Sequence, residues 1–426
     1  MSTKEVPNAG NQLTARRDFL AKSLVGASGL LTAQAAMGKT HNSNAQPIRA
    51  HAWMTHEGGP VSKQGLPSPF ETQLNRLGIA ARPGAPGSGG SRTPLQHLDG
   101  IVTPSRLHFE RHHSGIPNIN PDKHKLVIHG AVKQPLEFTL EKLQRYPHVS
   151  SLAFLECSGN SAVLLSPKPA QEDCGTIHGL VSNSEWSGVP LHYLLDEAGL
   201  TDDAKWLIAE GGDSALMSRS IPIDKALDDV IVATHQNGEP LRPSNGYPLR
   251  LFLPGWEGNM SIKWLRRLYL ANQPAMTREE TSKYSDLQQD GTVRQFTFVM
   301  DVKSVITSPS PGLDLQEKGV YQISGIAWSG HGKISKVEVS ADAGKTWSDA
   351  LLDNHVLDKS LTRFRTGWHW QGQPGVLLSR AYDDRGNVQS TRKQVLDNRA
   401  RGTFYHVNPL QAWLVDSQGK VSNTYV

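Results

Sequence analysis

Residues 154–161 read Phe-Leu-Glu-Cys-Ser-Gly-Asn-Ser, and the residues just before them extend the apolar run back to position 151. An apolar run of this length that ends in small polar residues predicts a buried strand followed by a tight turn. Cys157 stands where the strand ends, so its sulfur is presented on a loop. A thiolate in that position suits a soft metal ion or an electrophile.

The rest of the sequence narrows what Cys157 can do. The 426-residue chain contains one other cysteine, Cys174. A zinc site would need several Cys and His residues at short spacing, and a covalently attached haem would need Cys-x-x-Cys-His; neither pattern occurs. Two interpretations stay open. Cys157 is the one protein ligand of a cofactor that supplies the remaining metal ligands itself, or the two cysteines form a disulfide in a non-catalytic exported binding protein.

Composition is that of a globular protein with two or three domains, with 37% hydrophobic and 20% charged residues. The 39 glycines and 26 prolines favour many turns and short strands over long helices. The net charge is +4 and no basic tract is concentrated anywhere. This argues against nucleic acid as a partner.

The N-terminus resembles an export signal. Arg16 and Arg17 form a twin-arginine motif, and a weakly apolar run over 23–36 follows it. The run is too short and too rich in Gly, Ser and Ala to span a bilayer. Residues 1–37 are therefore predicted to be a twin-arginine signal that directs the chain to the periplasm. Proteins on this route are exported already folded, which predicts a cofactor inserted before export. No membrane span is predicted in the mature protein.

Three further segments follow the predicted signal. Residues 38–93 are rich in Gly, Pro and Ser and are predicted to be an irregular arm. Residues 94–288 alternate strand-like and helix-like stretches, which indicates a mixed α+β domain. Residues 289–426 contain several runs that alternate with period two, separated by glycine-bearing turns, and no helical stretch is predicted there. That pattern is typical of an immunoglobulin-like β-sandwich.

Five motifs in order resemble the signatures of one enzyme family. The stretches are Arg111-His112-His113, Phe154 to Asn160, Asn237 to Leu241, Gly246 to Arg250 and Ile262 to Leu265. Together they resemble the sulfite oxidase family of molybdopterin oxidoreductases, over residues 94–415. The resemblance implies a molybdopterin-binding domain followed by a sandwich that mediates dimerisation, and a Mo-molybdopterin cofactor with one molybdenum per chain and no haem.

The resemblance also implies the site residues. Cys157 would hold the metal, and Tyr284, Arg111 and Arg401 would act on the substrate; Arg399 competes with Arg401 for its role. The basic residues Arg250 and Lys263 would bind the phosphate of the pterin, which needs cations and backbone N–H groups. The predicted cofactor-binding residues are Phe109, Arg111, His112, His113, Asp213, Asn245, Arg250, Ser261, Ile262 and Lys263.

Two departures from the family pattern concern the substrate. Sulfite-oxidising members carry a basic residue one turn after the cysteine, where this chain has Ser161 and Ala162. Those members also have a tryptophan in the pocket, from the loop after the cysteine, whereas this chain has no tryptophan between Cys157 and Trp186. Sulfite is a small dianion that needs converging cations. The sequence therefore favours members of the family that oxidise a sulfane sulfur on a carrier protein, in periplasmic thiosulfate oxidation. Free sulfite is the alternative substrate.

The same resemblance implies partners. Electrons must leave the reduced metal one at a time, and the chain has no haem-attachment motif. A c-type cytochrome subunit is therefore the expected acceptor, within a hetero-oligomer built on a homodimer of this chain.

Overall fold

The computed structural model describes residues 51–61, 63, 65, 67–400 and 402–426. The chain divides into two units, 1–73 and 74–426. The described part of the first unit contains the helical turn Ala52–Met54. The predicted export signal lies outside the described residues.

A three-stranded antiparallel sheet opens the second unit. Its strands are Leu77–Ile79, Gly89–Arg92 and Glu110–His112. Close approach of the second and third strands requires a glycine, because a Cβ on Gly90 would lie 2.1 Å from the backbone oxygen of Glu110. The prediction that residues 38–93 form only an irregular arm is therefore wrong for their second part, where glycine- and proline-rich turns connect paired strands.

Two five-stranded sheets form the body of the α+β domain. The first has the order Glu239–Pro240, Ile231–Gln236, Val181–Pro190 and Val149–Glu156, with Arg250–Phe252 also paired to Ile231–Gln236. The second has the order Leu136–Phe138, Leu126–Gly130, Leu265–Ala271, Trp206–Gly211 and Ser218–Pro222. Leu126–Gly130 and Leu265–Ala271 pair in parallel, and the other pairs of this sheet are antiparallel.

Short helices connect these strands, as the glycine and proline content predicts. They are Leu140–Leu143, Cys174–His178, Leu191–Ala198, Ile223–Leu227 and Arg278–Thr281. The predicted helix over 191–198 is confirmed, and it ends at Gly199, whose φ of 69° lies in the left-handed region that favours glycine. Its apolar face packs into the core of the domain through Leu191, Leu194 and Leu195, which are fully buried.

The C-terminal domain is the predicted β-sandwich. One sheet contains Lys303–Ser308, Gly319–Trp328, Thr362–Trp370 and Leu351–Leu352, in that order. The other contains Ser348–Asp349, Ile334–Ser340, Gly375–Asp383, Ala412–Val415 and Val421–Thr424. The helix Arg392–Asp397, which the sequence analysis did not predict, begins with a capping box formed by Thr391 and Gln394. The hairpin Asp286–Leu287 with Val293–Arg294 precedes the sandwich.

A single apolar core joins the sandwich to the strand that leads to Cys157. Phe154, Cys174 and Val181 of the α+β domain belong to the same buried cluster as Trp328 and Trp413 of the sandwich. The backbone confirms this contact, since the N–H of Phe154 donates to the oxygen of Lys359 at 3.0 Å. The cysteine loop is therefore built partly by the second domain. Within the described residues, no helix has the length and apolar character needed to cross a membrane.

Candidate active site

The turn after strand Val149–Glu156 presents Cys157 at a cavity. The N–H of Cys157 donates to Leu180 at 2.9 Å, and the Cys157 oxygen accepts from the N–H of Asn160 at 2.8 Å. The side chain of Asn160 donates to Glu156 at 2.9 Å, so both ends of the turn are held. Burial raises the pKa of the Cys157 thiol, and the nearby Arg111 guanidinium opposes that rise. A bound cation would stabilise the thiolate in this setting.

The disulfide interpretation is wrong. Cys157 and Cys174 are both free, and Cys174 is fully buried in the shared apolar core. In the described part of the chain, no group of three or more His, Cys, Asp or Glu side chains could hold a metal ion. A metal at Cys157 therefore needs ligands that come from a cofactor.

The structure brings almost all predicted site residues together around this cavity. Those that line it are Phe109, Arg111, His112, His113, Cys157, Asp213, Asn245, Arg250, Ser261, Ile262, Lys263 and Tyr284. They come from six separate stretches of chain, which the fold places side by side. Arg401 lies outside the described residues. Its competitor Arg399 does not line the cavity, because its guanidinium donates to the backbone oxygens of Tyr405 and His406 and lies 3.7 Å from Asp286.

A buried cation, Arg250, and a partly buried one, Lys263, lie near each other in the lining of the cavity. Arg250 donates to the backbone oxygen of Asn245 at 3.0 Å, and its Nε has no hydrogen-bond partner among the described residues. Burial lowers the pKa of Arg250 to about 9. Burial and the adjacent Arg250 also lower the pKa of Lys263, whose amine donates only to neutral acceptors. Buried cations without a carboxylate contact are unstable unless an anion joins them.

The donor and acceptor groups of the cavity fit a pterin with a terminal phosphate. The unsatisfied Nε of Arg250 and the charge of Lys263 suit phosphate oxygens. Oδ1 of Asp213 is buried and has no hydrogen-bond partner within the part of the chain that the structure describes, so it offers an acceptor to the N–H groups of a heterocycle. Cys157 lies among the same lining residues and can supply one metal ligand. The residues present therefore fit Mo-molybdopterin.

Tyr284 lines the cavity in a strained conformation. Its φ of 49° is unusual for a bulky side chain, and backbone strain of this kind concentrates at functional sites. Its hydroxyl lies 3.3 Å from Nε2 of His113, and the Arg219 guanidinium lies 5.0 Å from its ring centroid. Burial together with neighbouring cations lowers the pKa of His113 to about 4, so its imidazole is neutral and can accept a hydrogen bond from Tyr284.

The position that is basic in sulfite-oxidising relatives is turned away from the cavity. Ser161 has a φ of 63° and is buried, and its hydroxyl contacts Nζ of Lys303 and Nδ1 of His178, each at 2.7 Å. Lys303 belongs to the sandwich, so this cation takes part in the contact between the sandwich and the α+β domain. Trp186 is also buried, with its ring 5.2 Å from the Arg250 guanidinium.

Four polar or aromatic side chains at the cavity were missed by the sequence analysis, besides the apolar Leu155 and Met217. Glu110, Ser244, Asn259 and Trp264 line it beside predicted residues. Asn259 donates to Ser158 at 3.2 Å in the cysteine loop. The indole of Trp264 lies 4.3 Å from the Lys263 amine, and its φ of 53° is a second strained conformation at the site. Their position next to motif residues in the sequence was the only signal that could have identified them, because their contacts at the cavity arise only when the chain folds.

Comparisons with known proteins agree with this geometry. Residues 113–279 match the oxidoreductase molybdopterin binding domain, and residues 294–407 match the Mo-co oxidoreductase dimerisation domain. Mitochondrial sulfite oxidase of Drosophila melanogaster is 30% identical over 379 residues, covering 84% of this chain and 65% of that protein. Nitrate reductase [NADH] 2 of Phaseolus vulgaris is 30% identical over 345 residues, covering 70% of this chain and 38% of that protein.

A solved structure is similar over nearly its whole length. The crystal structure of the sulfane dehydrogenase SoxCD from Paracoccus pantotrophus superposes with a TM-score of 0.86 at 43% identity, covering 88% of this chain and 97% of that chain. The chain thus spans most of that structure's chain, but only about 65% of the fly sulfite oxidase and about 38% of the nitrate reductase.

Proposed function

The chain belongs to the sulfite oxidase family of molybdopterin oxidoreductases, and from that premise we propose that it is the molybdenum subunit of a sulfane dehydrogenase. Its cofactor is Mo-molybdopterin. The proposed substrate is a sulfane sulfur bound to a carrier protein, oxidised with oxygen that derives from water. The 43% identity to a sulfane dehydrogenase over 97% of that chain is the observation that carries the proposal.

The chemistry divides between cofactor and chain. When bound, the molybdenum centre supplies oxygen-atom transfer to sulfur and takes up two electrons. Cys157 holds the metal. Arg111, which donates to the backbone oxygens of Gly89 and His112, presents its charge to an anionic sulfur substrate. Tyr284 offers a hydroxyl at the cavity that Cys157 also lines, and the neutral His113 would keep that hydroxyl oriented.

Partners and compartment follow from the same proposal. The two-electron reduction requires a one-electron acceptor, for which a c-type cytochrome subunit is proposed. The match to a dimerisation domain supports a homodimer built through the sandwich. The twin-arginine motif at Arg16 and Arg17 supports export to the periplasm.

Free sulfite is the second candidate substrate, because curated sulfite oxidases are among the relatives. The absence of a basic side chain at Ser161 and Ala162 argues against it, because sulfite is a small dianion that needs converging cations. A hydrogen bond to a charged group contributes about 1.5–3 kcal/mol, which corresponds to roughly 10- to 100-fold in affinity.

We expect kcat/KM for a carrier-bound persulfide to exceed that for free sulfite by at least about 10-fold. Steady-state kinetics with cytochrome c as acceptor measures both values. A carrier whose substrate-bearing cysteine is replaced by serine is the control and should give no turnover. Equal or better efficiency with free sulfite would instead support the second candidate.

The opening of the site is predicted to attract anionic substrates. Burial is the main cause of the lowered pKa of His113, and Arg111, Arg278 and Arg82 lie near enough to lower it further. The Arg278 side chain is 57% exposed, so the substitution Arg278→Gln should leave the fold intact. We expect KM for the carrier-bound substrate to rise about two- to fivefold at unchanged kcat, because an exposed charge interaction contributes about 0.2–1 kcal/mol.

The matched control is Arg145→Gln, an exposed arginine that also pairs with a neighbouring glutamate. Its KM should equal that of the unsubstituted protein. The difference between the two variants should shrink as salt is raised, because exposed charges are screened over about 8 Å at 0.15 M. A salt-independent difference would contradict the electrostatic account.

A further inference from the structure

Glu110 lies beside the cation end of the cavity, but none of the family motifs includes it. It precedes His112 by two residues on the strand Glu110–His112, so the two side chains leave the same face. Oε2 of Glu110 lies 3.3 Å from Nε2 of His112 and 3.1 Å from Nη1 of Arg76. Neither Nε2 of His112 nor Oε2 of Glu110 makes an aligned hydrogen bond within the described residues, so Glu110 faces the ring nitrogen as a charged neighbour at 3.3 Å.

The other nitrogen of His112 meets Lys263. The amine of Lys263 lies 2.8 Å from Nδ1 of His112, and it also donates to the backbone oxygens of Arg111 and Ser244 at 3.1 and 3.2 Å. Burial lowers the pKa of His112, so the ring is neutral and carries one N–H. Nδ1 can accept from Lys263 only when that N–H is on Nε2, which faces Glu110.

We propose that Glu110 is a positioning residue for the cofactor: it fixes His112 as the Nε2–H tautomer, so that Nδ1 holds the Lys263 amine at the phosphate end of the cavity. Without an acceptor at position 110, the Nδ1–H tautomer becomes accessible. Nδ1 would then no longer accept from the Lys263 amine, and the contact that holds the amine in place would be lost.

The surroundings of Glu110 favour this role. Contacts with His112 and Arg76 lower the pKa of Glu110 to about 2 in spite of its burial, so the side chain is a carboxylate at neutral pH. Arg76 also donates to the backbone oxygen of His108 at 3.3 Å, which ties the N-terminal sheet to the cofactor segment. The inference concerns cofactor binding and does not depend on which sulfur compound is the substrate.

The tautomer is directly measurable. In the cofactor-free full-length chain labelled with ¹⁵N-histidine, the His112 signals are assigned by comparison with His112→Gln. We expect the chemical shifts of a neutral ring protonated at Nε2. A ring protonated at Nδ1 overturns the proposal, even if every variant at position 110 misfolds.

Substitutions at position 110 test the consequence for the cofactor. Glu110→Leu removes the acceptor, and we expect molybdopterin to be retained about 10- to 100-fold more weakly, the range found when the partner that orients a ligating histidine is lost. Glu110→Gln keeps an acceptor oxygen in the same place and should retain most of the affinity. The matched control is Glu141→Leu, at a carboxylate that is 79% exposed and pairs with Arg145, and it should bind the cofactor normally.

A double substitution separates positioning from general destabilisation. If Glu110 acts through Lys263, the double variant Glu110→Leu with Lys263→Met should retain molybdopterin as well as Lys263→Met alone does. Molybdopterin is released by filtration and quantified by the fluorescence of its oxidised form, so the readout is independent of turnover. Equal losses for Glu110→Leu and Glu110→Gln, or full additivity with Lys263→Met, would refute the proposal.

Discussion

Replacing Cys157 with serine should leave a folded protein with little turnover. We expect a loss greater than the roughly 10- to 100-fold seen when a residue that only orients a metal ligand is removed. The side chain lines the cavity and is only partly buried, at the edge of a small apolar cluster, whereas Cys174 is fully buried in the large shared core. Serine has a similar size, but its hydroxyl stays protonated at neutral pH and is a poor ligand for a soft metal. Turnover, molybdenum content and the number of sulfur ligands seen by X-ray absorption measure the effect.

Cys174→Ala is the matched control for this prediction. Cys174 is fully buried among apolar side chains, and burial raises the pKa of its thiol. Its loss should lower the free energy of unfolding by about 1 kcal/mol, as small cavities do, and leave the metal and turnover unchanged. An unchanged set of molybdenum ligands in Cys157→Ser would remove the basis of the proposed site.

Replacing Lys303 with methionine should lower the free energy of unfolding by about 3–5 kcal/mol. Lys303 of the sandwich is 1% exposed and donates to Glu156 at 3.1 Å, one residue before Cys157. The other oxygen of Glu156 accepts from the indole of Trp328 at 2.7 Å. Removal of the amine leaves a buried carboxylate without its cation, and urea denaturation measures the cost.

Two further variants identify the cause of that loss. Lys393→Met removes a lysine that is 83% exposed and pairs with Asp397, and it should change the free energy of unfolding by about 0.5 kcal/mol or less. The double variant Glu156→Gln with Lys303→Met should recover part of the lost stability, because the buried charge is then removed as well. A small effect of Lys303→Met alone would mean that this ion pair does not join the domains.

The same contact connects stability to the active site. Glu156 also accepts from Asn160, which closes the turn that presents Cys157. The sandwich thus supports the turn that presents Cys157. We expect domain contacts and molybdenum retention to weaken together when Lys303 is replaced.

Local patterns were enough to predict much of the fold. The run 151–155 lies in a strand that ends at Glu156, directly before Cys157. The helix over 191–198 is followed by Gly199, its C-cap. These predictions succeeded because hydrophobic periodicity and the residues that end a helix or strand depend on only a few neighbouring positions. The arm over 38–93 was mispredicted in part, because its two strands pair with each other and with the strand Glu110–His112 across glycine- and proline-rich turns that resemble an irregular segment.

The sequence by itself determined that a lone thiol is presented after a buried strand and that no other cluster of metal-binding residues accompanies it. Only the tertiary structure decided that Ser161 faces Lys303 and that Glu110, His112 and Lys263 form one connected group. The physical reason is that strand periodicity fixes which side of the backbone a side chain leaves. Its partner there is set by the packing of segments distant in sequence, which no local pattern encodes.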